Sequence, residues 1–149
     1  MQYQHLSGSS LRVSRIGFGC WPIGGHGWGP VDDASSVAAV RMALDAGVNF
    51  FDTADAYGFG HSEEMLARAL GNNRHEVVIA TKFGVRWNEA TGATWRDISL
   101  EWLDTALHAS LRRLGLERVP LYQIHWPDGA THLEDVIERL SRYREAGKI

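Results

Sequence analysis

The sequence is poor in several things, and each shortage closes off a class of function. It has a single cysteine, Cys20. One thiol forms neither an internal disulfide nor a cysteine-rich zinc site, so a reducing, cytoplasmic setting is expected. Fifteen basic residues face eighteen acidic ones, for a net charge of −3. That balance gives no basic excess for non-specific binding to nucleic acid. No apolar run approaches the roughly 18 residues that a membrane span needs. The start, Met1-Gln2-Tyr3-Gln4-His5, has neither a basic nor an apolar stretch of the kind that opens a signal peptide. The seven histidines include no H-x-x-x-H or H-E-x-x-H spacing, so no metal site is expected. There is no linker, low-complexity segment or charge run.

What remains is a globular composition. Hydrophobic residues make up 44% and charged residues 22% of the 149, which supports a packed core in one domain. Six tryptophans and sixteen glycines stand out. They suit tightly turned, aromatic-lined loops around a ligand.

The chain reads as alternating strands and helices. Residues 3–6 and 11–13 flank the turn formers Ser7-Gly8-Ser9-Ser10 and predict a small hairpin. Residues 16–19 fit a short buried strand, followed by a glycine-rich loop over 20–31. Asp32 or Asp33 caps a helix over 34–46, which Gly47 stops. Residues 48–52 are the next strand. Ser62 is expected to cap a helix that presents Met65, Leu66, Ala69 and Leu70 on its apolar side. The β-branched run over 77–81 is apolar on both faces, as a strand covered on both sides should be. Residues 83–97 read as a long loop. Ser99 opens the most periodic helix, with Leu100, Leu103, Leu107, Leu111 and Leu114 as its stripe. Residues 121–125 form a strand, and Leu133, Val136, Ile137, Leu140 and Tyr143 mark a last helix ended by Gly147. Lys148 and Ile149 look like the entry to a further strand.

Strand followed by helix, four times over, implies an α/β fold with parallel strands and right-handed crossovers. Two architectures compete. A doubly wound nucleotide-binding sheet should carry G-x-G-x-x-G after its first strand. Here Gly17-Phe18-Gly19 runs into Cys20-Trp21-Pro22, and the third glycine is missing. No P-loop is present either. The alternative is a (β/α)8 TIM barrel, which takes eight such units and about 250 residues. This chain supplies four.

In a barrel, the C-terminal ends of the strands and the loops after them build the active site. Asp52 closes the second strand, Lys82 the third and His125 the fourth, and Tyr57 lies in the loop after the second. An ammonium near a phenol favours the phenolate. A carboxylate beside that lysine offsets the cost of taking its charge out of water. A tyrosine so tuned passes a proton to or from an alcohol or carbonyl oxygen, and a histidine beside it holds that oxygen. The set suits carbonyl reduction, with hydride supplied by a nicotinamide or flavin, because no side chain donates hydride. Each residue also has a plainer reading. Asp52 could start a turn, Tyr57 could be a packed loop aromatic, Lys82 a solvated strand end and His125 a structural imidazole. Cys20 and His26 could be imagined as a thiol–imidazole pair, but nothing in the sequence positions them. Trp21, Trp28, Trp87 and Trp126 follow strand ends, and either wall a substrate pocket or cover the barrel mouth.

These same residues carry a family resemblance. The run Asn49-Phe50-Phe51-Asp52-Thr53-Ala54-Asp55-Ala56-Tyr57-Gly58, with Gly60-His61-Ser62-Glu63-Glu64 after it, resembles the signature of the aldo-keto reductases. Ile79-Ala80-Thr81-Lys82 is similar to the family's strand-three lysine motif. Leu121-Tyr122-Gln123-Ile124-His125-Trp126-Pro127-Asp128 is similar to its strand-four histidine motif, in the bacterial inositol-utilisation and general-stress branch. Ile16-Gly17-Phe18-Gly19-Cys20-Trp21 resembles the first strand. The resemblance implies a (β/α)8 barrel that binds NADPH and reversibly reduces small aldehydes or ketones. It implies Tyr57 as general acid/base, Lys82 as the group that lowers its pKa, Asp52 as the partner of Lys82, and His125 as the residue that orients the carbonyl. Cys20 and Trp21 would lie in the loop that approaches the cofactor, beside Asp52 and Tyr57. Many relatives have threonine where Cys20 stands.

Members of that family are about twice this length. Their later strands hold the nicotinamide amide, the pyrophosphate and the adenosine phosphate. The chain therefore reads as the N-terminal half of such a barrel, a truncated piece with the acid–base half of the site, expected to be inactive alone. Four parallel strands would leave two unpaired edges, which invite pairing with another chain. The rival reading is a non-catalytic binding or regulatory half-barrel that dimerises to close a pseudo-barrel. Aldo-keto reductase folds also serve as channel-associated auxiliary subunits, so fold alone does not establish turnover.

Overall fold

The computed structural model describes residues 1–25 and 28–149. It opens with the expected hairpin: β1 (Tyr3–His5) pairs antiparallel with β2 (Arg12–Ser14), Tyr3 opposite Ser14. Four parallel strands then form one sheet. They are β3 (Phe18–Gly19), β4 (Phe50–Asp52), β5 (Val78–Phe83) and, after a second hairpin, β8 (Leu121–Ile124). Their spatial order is β3-β4-β5-β8, the order of the chain. A doubly wound sheet reverses direction at a switch point, whereas a barrel adds each strand to the same side of the last. The four described strands follow the barrel rule.

The crossovers are α1 (Asp33–Asp45), α2 (His61–Leu70) and α3 (Leu100–Leu114), and α4 (Leu133–Glu145) follows β8. Asp32 caps α1 by accepting from the Ser35 amide at 2.7 Å, which resolves the choice between Asp32 and Asp33. Ser99 caps α3, accepting from the Trp102 amide at 3.2 Å, and Gly115 ends it in a left-handed conformation. The expected cap of α2 does not hold. The residue before that helix is Gly60, and Ser62 lies inside the first turn with its hydroxyl used elsewhere.

The core lies between the sheet and the helices. Phe51 and Ile79 on the strands pack with Val40, Leu66, Leu70, Leu107, Leu111 and Leu114 on the helices. A second cluster joins Phe83, Ile98, Leu103, Ala106 and Val136. Each fully buried aliphatic side chain contributes about 1.5–3 kcal/mol over its exposed state. In β5 all residues but Lys82 are buried, which fits a strand covered on both faces.

The expected loop over 83–97 contains a hairpin instead, β6 (Val85–Trp87) with β7 (Thr94–Arg96). Asn88 holds its turn by accepting from the amides of Ala90 and Thr91. The turn formers Asn88, Thr91 and Gly92 between the two short runs are the sequence signal that could have found it. Lys148 does not enter a strand, but its carbonyl accepts from the Val119 amide at 3.0 Å beside the start of β8, and Ile149 packs on the first core cluster. Among the described residues, no helix is long and apolar enough to cross a membrane.

Candidate active site

Alternation along the strands decides which side chains meet. In β4 and β5, Phe50 lies beside Val78, Phe51 beside Ile79 and Asp52 beside Ala80. Phe51 and Ile79 face the helices, so Asp52, Ala80 and Lys82 face the opposite side of the sheet. Lys82 is the fifth residue of a six-residue strand, one short of the end where it was expected. Its ammonium donates to Asp52 Oδ2 at 2.8 Å, to the Thr53 carbonyl at 2.7 Å and to the Tyr57 hydroxyl oxygen at 3.5 Å. Its side chain is only 13% exposed, whereas that of Asp52 is 40% exposed. Lys82 is thus a sheltered cation held by an accessible carboxylate.

Tyr57 is placed by the loop after β4. Gly24, at the end of a short 3-10 helix over Trp21–Gly24, packs directly on the Tyr57–Gly58 backbone. A Cβ at Gly24 would lie 2.6 Å from the Tyr57 carbonyl carbon, so only glycine permits this approach. The loop then runs through three left-handed residues, Gly58, Phe59 and Gly60. Phe59, with φ of 56°, is the one non-glycine among the described residues in that region, a strain of about 1–3 kcal/mol. Its ring stacks on Trp87 at 5.5 Å, which helps to hold it there.

The imidazole of His125 meets the Tyr57 ring edge-on at 5.6 Å. His125 follows β8 and continues its ladder, its amide donating to the Phe83 carbonyl at 2.7 Å. Burial, then the nearby Lys82 charge, lowers its pKa against the opposing pull of Asp52, so the ring is neutral near pH 7. Its Nδ1 is buried without a partner.

Tryptophans rim the site. Trp21 stacks on Tyr57 at 6.2 Å, Trp28 meets Trp21 edge-on, and Trp126 stacks on His125 at 5.9 Å. All three are about half exposed. Trp87 packs instead between Phe59 and Trp102.

The structure brings Asp52, Tyr57, Lys82, His125 and Trp21 together, and it does not add Cys20. Cys20 has none of its surface exposed, because its side chain points into the core and its carbonyl is bonded to Ser62. It offers no atom to a cofactor. Burial, then the neighbouring Asp52 charge, pushes its thiol up to about 12 against the opposing Lys82, so it is also no nucleophile. His26, its imagined partner, lies outside the described residues. Among the described residues, no group of three or more His, Cys, Asp or Glu side chains could hold a metal ion.

Sequence reasoning missed a second polar layer under the site. Thr53, Asp55, Ser62, Glu63 and Thr81 are all fully buried. Glu63 pairs with Arg113 Nε at 2.6 Å and accepts from the Thr81 hydroxyl at 2.6 Å. Neither carboxyl oxygen of Asp55 has a hydrogen-bond partner. Burial, with the Glu63 charge adding to it, raises the Asp55 pKa well above the usual carboxylate range, Arg113 and Lys82 opposing. An unfolded aspartate ionises near 3.9, whereas the folded one keeps its proton above that. The folded state binds more protons there, so Asp55 costs stability as pH rises from about 4 toward its folded pKa, by about 1.4 kcal/mol per pH unit. Asp55→Asn is expected to remove that fall. Urea unfolding at pH 5 and pH 7 should show the variant gaining on the native protein at the higher pH. A difference independent of pH would refute the buried, protonated state of Asp55.

Comparison with known proteins bears on what this geometry serves. The aldo/keto reductase family profile matches residues 15–149. The aldo-keto reductase YhdN of Bacillus subtilis is 37% identical over 151 aligned positions, which take in 100% of this chain and 45% of that protein. The aldo-keto reductase yakc [NADP(+)] of Schizosaccharomyces pombe is 38% identical, over 92% of this chain and 41% of that protein. The solved structure of the glycerol dehydrogenase AKR11B4 from Gluconobacter oxydans superposes with a TM-score of 0.88 at 39% identity, covering 99% of this chain and 46% of that one. The chain therefore spans about half the length of the curated relatives it matches, and its four β/α units form part of a (β/α)8 barrel. With a match that runs through all four of those units and a lysine, tyrosine, aspartate and histidine gathered on one side of the sheet, the chain belongs to the aldo/keto reductase family.

Proposed function

We propose that this chain carries the proton-transfer half of an NADPH-dependent reductase of aldehydes and ketones. One observation carries the reading: Lys82 donates to both Asp52 and the Tyr57 oxygen. Because the phenol oxygen accepts from Lys82, its own hydrogen is free for a substrate oxygen. The positive charge also stabilises the phenolate left after transfer. His125 is neutral at pH 7 and presents its ring beside Tyr57, where a ring N–H can hold the carbonyl oxygen. The carbonyl oxygen receives the Tyr57 proton as the carbonyl carbon receives hydride, giving the alcohol.

A nicotinamide fits the residues present. Trp21, half exposed and stacked on Tyr57, and the accessible carboxylate of Asp52 would hold its ring and amide. When bound, it supplies the hydride. The name of the Schizosaccharomyces relative supports the phosphorylated dinucleotide. A small carbonyl compound is the expected substrate, without nucleic acid or membrane, in a cytoplasm that keeps the lone thiol reduced.

A second reading has its own observation. β3 and β8 stand at the two edges of the sheet, and Ile16, Leu133 and Ile137 are each at least half exposed. Unpaired edges with apolar neighbours suit a non-catalytic half-barrel that dimerises. A titration with NADPH, followed by tryptophan fluorescence and by light scattering, separates the two. For a complete barrel that contains these residues, the reductase reading expects saturable, stoichiometric binding, then loss of NADPH absorbance when an aromatic aldehyde is added; this chain alone is expected to do neither. A defined dimer of this chain, together with a complete barrel that neither binds NADPH nor consumes it, would overturn the reading in favour of the second.

A further inference from the structure

The buried polar layer under the site has a pattern that the chemistry above does not use. Asp52 and Lys82 face one side of the sheet, and each has a threonine as its chain neighbour, Thr53 and Thr81. Adjacent residues of a strand point to opposite faces, so the threonines point toward the helices. Both are fully buried there, and both are bonded to the first turn of α2. The Thr81 hydroxyl donates to Glu63 Oε1 at 2.6 Å. The Thr53 hydroxyl lies 2.9 Å from the Ser62 hydroxyl, and the Ser62 hydroxyl donates to the Cys20 carbonyl at 3.0 Å. Since Ser62 has one hydrogen and gives it to Cys20, Thr53 is the donor of their shared bond. Arg113 Nε fixes the other Glu63 oxygen at 2.6 Å.

We propose that Ser62 and Glu63 form a positioning clamp, in which two consecutive residues of one helical turn set the spacing of the three strand ends that carry Trp21, Asp52 with Tyr57, and Lys82. The functional part of this inference rests on the acid–base reading of Tyr57 and Lys82. Neither clamp residue touches the reacting groups. Glu63 acts on Lys82 through Thr81. Ser62 acts on Lys82 through Thr53, whose carbonyl accepts from the ammonium. The arrangement explains why a serine and a glutamate are wholly buried at a helix start where solvated residues would serve a cap equally well. Burying the Glu63–Arg113 pair with Thr53, Ser62 and Thr81 costs desolvation, and a fixed geometry is what such a network returns.

The chain has two lysines, Lys82 and Lys148. Lysine-selective 15N labelling therefore gives two ammonium signals, and Lys82 reports on itself without substrate or cofactor. In the native chain the Lys82 ammonium, held by three acceptors, is expected to exchange its hydrogens slowly. Thr81→Val keeps the shape and removes the hydroxyl. It should speed that exchange about tenfold, equivalent to about 1.4 kcal/mol. Ser62→Ala should do the same, and Thr81→Ser, which keeps the hydroxyl, should restore the slow signal. Leu103→Ala, in the second core cluster, serves as a variant of comparable destabilisation that should leave Lys82 unmoved. The clamp is overturned if folded Thr81→Val or Ser62→Ala leaves Lys82 exchange unchanged, or if Leu103→Ala speeds it equally. Should Thr81→Val fail to fold, Ser62→Ala and Thr81→Ser decide the matter. The two readings fail separately. A complete barrel that reduces no carbonyl, beside a chain that shows this pattern, refutes the reductase reading alone, and an active barrel beside a chain whose Lys82 ignores the variants refutes the clamp alone.

Discussion

In a complete barrel that contains these residues, Tyr57→Phe is expected to lower carbonyl reduction by about 10²–10⁴-fold, the usual worth of a positioned general acid. The substitution removes one oxygen and keeps the ring. The stack on Trp21 and the edge contact with His125 therefore remain, and so should NADPH affinity. The loss should fall on turnover, because the interaction removed is one made only as the proton moves. Steady-state kinetics with an aldehyde, alongside a fluorescence titration of the cofactor, separate the two quantities. Full turnover in the phenylalanine variant would mean that the proton comes from another group. His125 would then be the first to test, since its imidazole meets the Tyr57 ring edge-on.

The second large effect concerns stability. Arg113→Met should cost about 3–5 kcal/mol, because it strands the Glu63 carboxylate in the interior without its counter-charge. Arg113 also lies across Gly60, where a Cβ would come within 2.6 Å of its Cδ, so its stem braces the left-handed loop after Tyr57. Denaturant unfolding of Arg113→Met, Glu63→Leu and the double variant gives the coupling. The double variant should recover much of the loss, since two apolar groups replace a buried ion pair at little net cost. A loss below about 1 kcal/mol in Arg113→Met would place the pair among exposed bridges of little consequence.

Much of the architecture was legible because it is written in local patterns. The leucine stripe of α3 begins one residue after its serine cap and ends at a glycine, so both limits were readable. The order of strands and helices, without a third glycine after β3, pointed to a barrel. Asp52, Lys82 and His125 could be singled out because strands carry few charges and these stand at or near strand ends. The unread parts depend on partners far away in sequence. Ser62 has every local mark of a cap, yet its hydroxyl reaches Cys20 and Thr53, 42 and 9 residues away. Lys82 was expected to close its strand, but Phe83 extends β5 by pairing with Ile124. The family resemblance puts Cys20 in the loop that approaches the cofactor, and only the packing of Ile23, Phe51 and their neighbours shows that it is enclosed. A usable signal for the clamp did exist: a threonine beside each charged strand residue, at the position that alternation turns toward the helices.

The bonding of Lys82 has a consequence for how its nitrogen would meet an aldehyde. Aldehydes condense with amines, and the amine must offer a lone pair to do so. All three hydrogens of this ammonium have acceptors, on Asp52, Thr53 and Tyr57. Attack on a carbonyl carbon would require one of those hydrogens to leave and the side chain to turn out of a mostly sheltered position. The same three bonds that aim the charge at the phenol therefore guard the nitrogen against imine formation. Should the proposed reductase reading hold, the arrangement is self-protecting: the site amine stays chemically silent toward aldehydes brought close to it.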